Sequence, residues 1–169
     1  MPASRKPKAR KNLPRPVELV VFDFDGVFTD NKVHVDETGR ETVVCDRRDG
    51  LGIDHLRERG IPMLILSKER NSVVAARGRK LKIEVAAGCD DKATYLEKRL
   101  GREGIDPARV VYVGNDVNDL EAMGVVGFSA APADSHPKVL KRADLVLSSR
   151  GGDGAVRELC DLILEELKD

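Results

Sequence analysis

Tryptophan is absent from this chain, and the aromatic complement is only four Phe and two Tyr in 169 residues. The core must therefore rest on Val, Leu, Ile and Ala, which suits stacked α/β layers. Cysteine is scarce: Cys45, Cys89 and Cys160 form an odd, scattered trio with no CxxC or other zinc spacing. They read as reduced thiols of a cytoplasmic protein. No apolar run approaches the roughly 20 residues that a membrane span requires. The N-terminus has no apolar h-region, so a secretory signal is not expected.

Net charge is also missing, with 29 basic and 29 acidic residues, but its distribution is uneven. Residues 1–16 carry six bases (Arg5, Lys6, Lys8, Arg10, Lys11, Arg15) and no acid, which leaves the remainder mildly acidic. Such a tail could touch nucleic acid. The rest shows no basic stripe to continue it, so it reads as a disordered, solvated extension. Residues 17–169 are then expected to form one domain with a single core.

What is present is organised around residues 19–30. Leu19, Val20, Val21 and Phe22 form an unbroken apolar run, as in a strand buried on both faces of a parallel sheet. Asp23 and Asp25 follow, then Gly26. Strand periodicity sets both carboxylates on one side, where one cation could hold them. Without a cation, two like charges this close are unfavourable. An Asp-Gly turn at a strand end is the plainer alternative.

Beyond it the pattern alternates between strand and helix. Residues 32–44 read as a hairpin with its turn at Glu37, Thr38 and Gly39. A helix carrying Leu51, Ile53 and Leu56 follows, with Asp54 as its candidate N-terminal acid and Gly60 as its end. Strands are expected over 61–66, 83–86, 110–113, 125–129 and 145–147. Helices are expected over 71–80, 91–100, 120–123 and 154–167, the last with an apolar stripe of Val156, Leu159, Ile163 and Leu167. This is the pattern of a doubly wound, Rossmann-like parallel sheet, which binds ligands at the carboxyl ends of its strands. Asp23 and Asp25, Ser67 and the 114–119 loop all fall on that rim.

The rim has the parts for phosphoryl transfer. Asp23 can attack phosphorus and Asp25 can protonate the leaving alcohol. A hard cation such as Mg²⁺ suits the carboxylate and carbonyl oxygens, with the acids of 114–119 completing its shell. Ser67 and Lys92 could bind the phosphate from the other side. Taken singly, Ser67 would be a helix cap and Lys92 a solvated residue.

The order of these residues resembles the haloacid dehalogenase-like superfamily: Asp-Phe-Asp-Gly-Val-Phe-Thr-Asp at 23–30, Ser67, Lys92, and Gly-Asn-Asp-Val-Asn-Asp at 114–119. The resemblance implies Asp23 as nucleophile, Asp25 as acid/base, and Mg²⁺ on Asp23 and the main-chain carbonyl of Asp25. It also implies phosphate contacts from Ser67, Lys68 and Lys92. Asn115 stands where the family has a metal-binding Asp. Either its uncharged amide oxygen is the ligand, or Asp116 or Asp119 takes over.

Within the superfamily the chain is similar to the capless phosphatases of 8- and 9-phosphorylated ulosonic acids. It shares the 26–30 extension, the hairpin after it, and the Gly-Gly-Asp-Gly segment at 151–154. That similarity implies substrate contacts from Thr29, Asp30, Glu69, Arg77 and Lys80. It further implies a homotetramer built on the hairpin, in which a neighbour closes each site. The expected function is Mg²⁺-dependent hydrolysis of a phosphorylated sugar acid through an aspartyl phosphate. The alternative, prompted by Asn115, is a catalytically weak tetramerisation module associated with an acylneuraminate cytidylyltransferase.

Overall fold

Val20 and Phe22 pack on one face of the first strand and Leu19 and Val21 on the other, so four residues seed two separate cores. The computed structural model describes residues 11–168. Its strands are β1 (Leu19–Phe22), β2 (His34–Val35), β3 (Glu41–Thr42), β4 (Met63–Leu66), β5 (Glu84–Ala86), β6 (Val110–Val113), β7 (Phe128–Ala131) and β8 (Leu145–Val146). Its helices are α1 (Arg47–Glu58), α2 (Ser72–Leu81), α3 (Lys92–Glu103), α4 (Leu120–Val125), α5 (Pro137–Arg142) and α6 (Ala155–Glu166).

Six strands form one parallel sheet in the order β5-β4-β1-β6-β7-β8. The chain winds outward from β1 through β4 to β5, then crosses back to β6 and winds the other way. The reversal opens a crevice at the carboxyl ends of β1 and β6. Ile53 and Leu56 of α1, Val74 and Leu81 of α2, and Val156, Leu159 and Ile163 of α6 cover the face of Val20 and Phe22. Leu96 and Leu100 of α3, Ala122 and Met123 of α4, and Val139 of α5 cover the face of Leu19 and Val21. The expected doubly wound α/β fold is the observed one.

Caps set where the helices start. Asp46, Asn71 and Asp91 accept from the main-chain N–H of Arg48, Val73 and Thr94 and so open α1, α2 and α3. Helix α6 begins after Gly154, which has no side chain to cap it. Asp49 of α1 supplies the acceptor instead, 3.0 Å from the Arg157 nitrogen.

The hairpin forms where expected, with His34 opposite Thr42 and Val35 opposite Glu41. Glu41 reaches back to the sheet, accepting from the Asn71 carboxamide at 2.9 Å.

Three expectations need correction. Helix α1 starts at Arg47, so Asp54 is an exposed mid-helix residue paired with Arg57 rather than an N-terminal acid. The fifth strand of the sheet is Phe128–Ala131, not 125–129: Val125 completes α4, and Ser129 stays in the strand by hydrogen bonding Asp144. Helix α5 escaped sequence reading because it is short and buries one residue, Val139.

Residues 11–16, assigned to the tail from sequence, touch the domain. Lys11 donates to the Gly127 carbonyl at 3.2 Å, Leu13 packs against the core, and Arg15 pairs with Glu166. Residues 1–10 lie outside the described residues. Among the described residues no helix is long and apolar enough to cross a membrane.

Candidate active site

β1 delivers Asp23 to the crevice. The Asp23 N–H donates to the Val113 carbonyl at 2.9 Å, which extends the β1–β6 pairing by one residue. Phe24 turns into the core and stacks on Phe28, with ring centroids 5.8 Å apart. The residues on either side of it, Asp23 and Asp25, therefore line the cleft. Gly26 follows with φ +79°, and a Cβ there would fall 1.9 Å from Asn115 Nδ2. Glycine thus lets the carboxamide of Asn115 lie directly against the turn that carries the two acids. Thr29, fully buried, accepts from the Gly26 and Asn31 N–H groups. On the turn's far side Gly151 packs so closely that a Cβ would come 1.9 Å from the Gly26 carbonyl oxygen. The 151–154 segment is a buttress for this turn.

Lys92, at the first position of α3, is buried beneath the cleft. Its Nζ lies 2.8 Å from Asp23 Oδ1 and 2.8 Å from Asp119 Oδ1. Burial opposes its charge, but Asp23 and Asp119 outweigh that and hold its pKa above the usual lysine value. Asp23 Oδ1 also accepts from the Phe24 N–H at 2.7 Å. Among the described residues no hydrogen bond reaches Oδ2. Burial, then Asp119, push the Asp23 carboxyl upward against the pull of Lys92. Burial and then Glu69 also raise Asp25, with Glu41 adding and Lys92 opposing. A site in which both acids are pushed toward the neutral form has a deficit of positive charge, which a bound cation removes.

Asp119 is saturated. Its Oδ1 accepts from Lys92 and from the Tyr112 hydroxyl at 2.7 Å; its Oδ2 accepts from the N–H groups of Asn115 and Asp116. Gly114 makes room for it, since a Cβ there would meet the Asp119 carboxyl at 2.6 Å. The cleft itself measures about 410 Å³ and is lined by Asp23, Asp25, Asn115 and Asp116 on one side and by Ser67, Lys68 and Glu69 on the other. Asp23, Asp25 and Asn115 line one space, and carboxylate, carbonyl and amide oxygens are the donor types a hard cation takes, so the residue types fit Mg²⁺.

Comparisons with known proteins agree with this geometry. A family profile described as haloacid dehalogenase-like hydrolase matches residues 63–159, more than half of the chain. The 3-deoxy-D-manno-octulosonate 8-phosphate phosphatase of Yersinia pestis is 36% identical over 88% of this chain and 80% of its own length. The chain belongs to the haloacid dehalogenase-like hydrolases.

Solved structures place this haloacid dehalogenase-like hydrolase among similar folds. A hydrolase of the same family from Streptomyces avermitilis is 50% identical, with a TM-score of 0.88 over 90% of this chain and 89% of its own. The 3-deoxy-D-manno-octulosonate 8-phosphate phosphatase of Moraxella catarrhalis, solved with magnesium, phosphate and KDO, is 32% identical. Its TM-score is 0.85, over 88% of this chain and 86% of its own.

Not every residue singled out from sequence converges on the cleft. Asp23, Asp25, Ser67, Lys68, Glu69, Asn115 and Asp116 line it, with Lys92 beneath. Asp119 holds the loop, and its four hydrogen bonds leave it no role as a metal ligand. Thr29 is buried and shapes the turn. Asp30 is exposed and accepts from the Lys32 N–H, while Asn31 beside it reaches the cleft. Arg77 and Lys80 line a different groove, of about 540 Å³, with Arg47, Arg57 and Lys82 between α1 and α2. Neither lines the cleft of Asp23 in the single chain.

Sequence reading missed Asn31 and Asp90, which also line the cleft, and Tyr112, which secures Asp119. Tyr112 carried a usable signal, since a tyrosine in an otherwise aliphatic buried strand needs a partner for its hydroxyl. The others sit on loops whose approach depends on the sheet.

Proposed function

We propose that this protein is a Mg²⁺-dependent phosphatase of a phosphorylated sugar acid. The observation that carries the reading is Asp23 Oδ1 pinned by a buried lysine and a main-chain N–H while Oδ2 stays without a partner beside Asp25. An ordinary strand-end turn has no use for a buried lysine held between two carboxylates.

The steps follow from that geometry. Asp23 Oδ2 attacks phosphorus, and the bond to the sugar oxygen breaks as Asp25 gives that oxygen its proton. Lys92 keeps Asp23 oriented and balances charge on the phosphoryl oxygens, which Ser67 and Lys68 also contact. Asp25, now a carboxylate, takes a proton from water, which attacks phosphorus and releases Asp23. Mg²⁺ would be held by the Asp23 carboxylate, the Asp25 carbonyl and Asn115 or Asp116, and it supplies neutralisation of the phosphoryl charge. The sugar-acid assignment draws on the two phosphatases named above.

The assembly we infer is a cytoplasmic homotetramer. Val33, Val35 and Val44 of the hairpin region are 47%, 59% and 62% exposed, an apolar surface that a single chain leaves uncovered. Arg77 and Lys80 can then reach a sugar acid only from a neighbouring protomer.

The test is phosphate release with Mg²⁺ from 3-deoxy-D-manno-octulosonate 8-phosphate, a nonulosonate 9-phosphate and a hexose 6-phosphate. Preference for one sugar acid is expected, with loss of turnover on chelation and recovery on adding Mg²⁺. Asp23→Asn should lower kcat by about six orders of magnitude, the order of the loss when a nucleophile is removed, with an unchanged circular dichroism spectrum. Wild-type turnover in that variant would remove Asp23 as nucleophile.

A further inference from the structure

Tyr112 has a hydroxyl that packing does not ask for. The residue lies in β6, fully buried, with Val21 of β1 as its neighbour in register, in the core formed with Leu64, Leu66, Leu96 and Leu100. Phenylalanine would fill that space as well. The hydroxyl instead donates to Asp119 Oδ1 at 2.7 Å, the partner that a buried tyrosine needs. Burial first, then Asp119, push its pKa well above the usual tyrosine value, so it stays a donor at any working pH.

That bond enters a buried chain. Tyr112, Asp119, Lys92 and Asp23 are 0%, 0%, 3% and 6% exposed. The steps from the hydroxyl to Asp119 Oδ1, from there to Lys92 Nζ, and on to Asp23 Oδ1 are 2.7, 2.8 and 2.8 Å. The ammonium therefore stands midway between two carboxylate oxygens. Each of those oxygens has one further donor at 2.7 Å: the Phe24 N–H on Asp23 Oδ1 and the Tyr112 hydroxyl on Asp119 Oδ1. The donors match, so neither carboxylate draws Lys92 away from the other. Without the hydroxyl, Lys92 is the donor left to Asp119 Oδ1 among the described residues. In so buried a place the less compensated carboxylate attracts the ammonium more strongly, and its hold on Asp23 loosens.

We propose that Tyr112 is a positioning residue for Asp23: by sharing Asp119 with Lys92 it keeps the ammonium on Asp23 Oδ1 and so leaves Oδ2 aimed at phosphorus. This rests on the reading of Asp23 as nucleophile and adds the group beneath the cleft that aims it. Tyr112 does not line the cleft, so it acts through the chain rather than by touching substrate.

Tyr112→Phe removes the hydroxyl and leaves the ring. Full-length wild type and variant are compared with Mg²⁺ on whichever sugar-acid phosphate the wild type hydrolyses and on p-nitrophenyl phosphate, whose leaving group departs without a proton. On both substrates kcat and kcat/KM are expected to fall together about tenfold, with KM within about twofold, the mark of an interaction used in the transition state. A circular dichroism spectrum like that of wild type, and assays run well below the unfolding midpoint, keep stability out of the comparison. A tyrosine that only held the loop together would lower the unfolding midpoint and leave kcat as it is, and that result overturns the proposal. A loss confined to the sugar-acid phosphate overturns it too, since it points to Asp25 or to the sugar rather than to the nucleophile. So does a change in KM alone. Wild-type turnover in Asp23→Asn, or wild-type enzyme that releases no phosphate from any of these substrates, defeats the functional reading first, and this inference falls with it.

Discussion

In the proposed metal shell, Asn115 is the residue that would set how strongly the cleft holds a cation. It shares the cleft with Asp23 and Asp25, and its main chain is anchored by the His136 N–H, which donates to the Asn115 carbonyl at 2.8 Å. Its amide oxygen can ligate but brings no charge, so the cation sees one carboxylate fewer than an aspartate would provide. Affinity for a hard cation rises with the count of charged ligands. Asn115→Asp should therefore lower the Mg²⁺ concentration for half-maximal phosphate release about tenfold. A Mg²⁺ titration of both proteins checks it, and an unchanged midpoint would take Asn115 out of the metal shell. Asp119 offers no substitute, because Lys92, Tyr112 and two main-chain N–H groups already occupy it.

At the scale of elements, α1 and α6 depend on one carboxylate. Asp49 is buried and serves as the missing cap of α6, with Oδ1 on the Arg157 N–H and Oδ2 buried without a partner. Burial pushes its carboxyl up to about 7; Asp46 adds, while the Arg157 N–H, Arg77 and Arg48 oppose. A folded pKa above the unfolded one means that the folded state binds the proton more tightly. The resulting stability is fully present below the usual value of 3.8 and is lost as pH rises through about 7. Wild type should lose on the order of 1 to 4 kcal/mol over that window relative to Asp49→Asn, which keeps an acceptor for the cap and does not titrate. Urea denaturation of both proteins at a series of pH values measures the difference. Parallel curves would show that Asp49 does not titrate there.

At the scale of the whole molecule, the N-terminal segment and the hairpin are the parts whose roles extend beyond the sheet. Deleting residues 1–16 removes the Leu13 packing and the Arg15–Glu166 pair, and should cost about 1–3 kcal/mol. Deleting only residues 1–10 spares both contacts, so thermal denaturation should separate the two truncations. In the proposed assembly the hairpin carries the oligomer: Val35→Lys places a charge on its exposed apolar surface and should shift the light-scattering mass toward monomer. A tetramer that persists would mean assembly through another face.

The sequence by itself determined the local features. Four apolar residues ending in two acids set β1 and its carboxylates, and Asn71 and Asp91 set the starts of α2 and α3, because strand alternation and capping act over a few residues. The same locality explains why Asp23 and Asp25, Ser67 and the 114–119 loop could be assigned to one rim, since each follows a strand of a parallel sheet. Only the tertiary structure decided which residues meet. Lys92 lies between Asp23 and Asp119 because α3 docks on the face of Leu19 and Val21. Arg77 points away from the catalytic cleft because it lines the groove between α1 and α2, while Arg70, seven residues earlier, enters the cleft from the loop. Asp119 became a structural carboxylate through the Tyr112 hydroxyl, which reaches it from inside β6. Such outcomes depend on how sheet and helices pack across long stretches of chain, and residue spacing alone does not encode them.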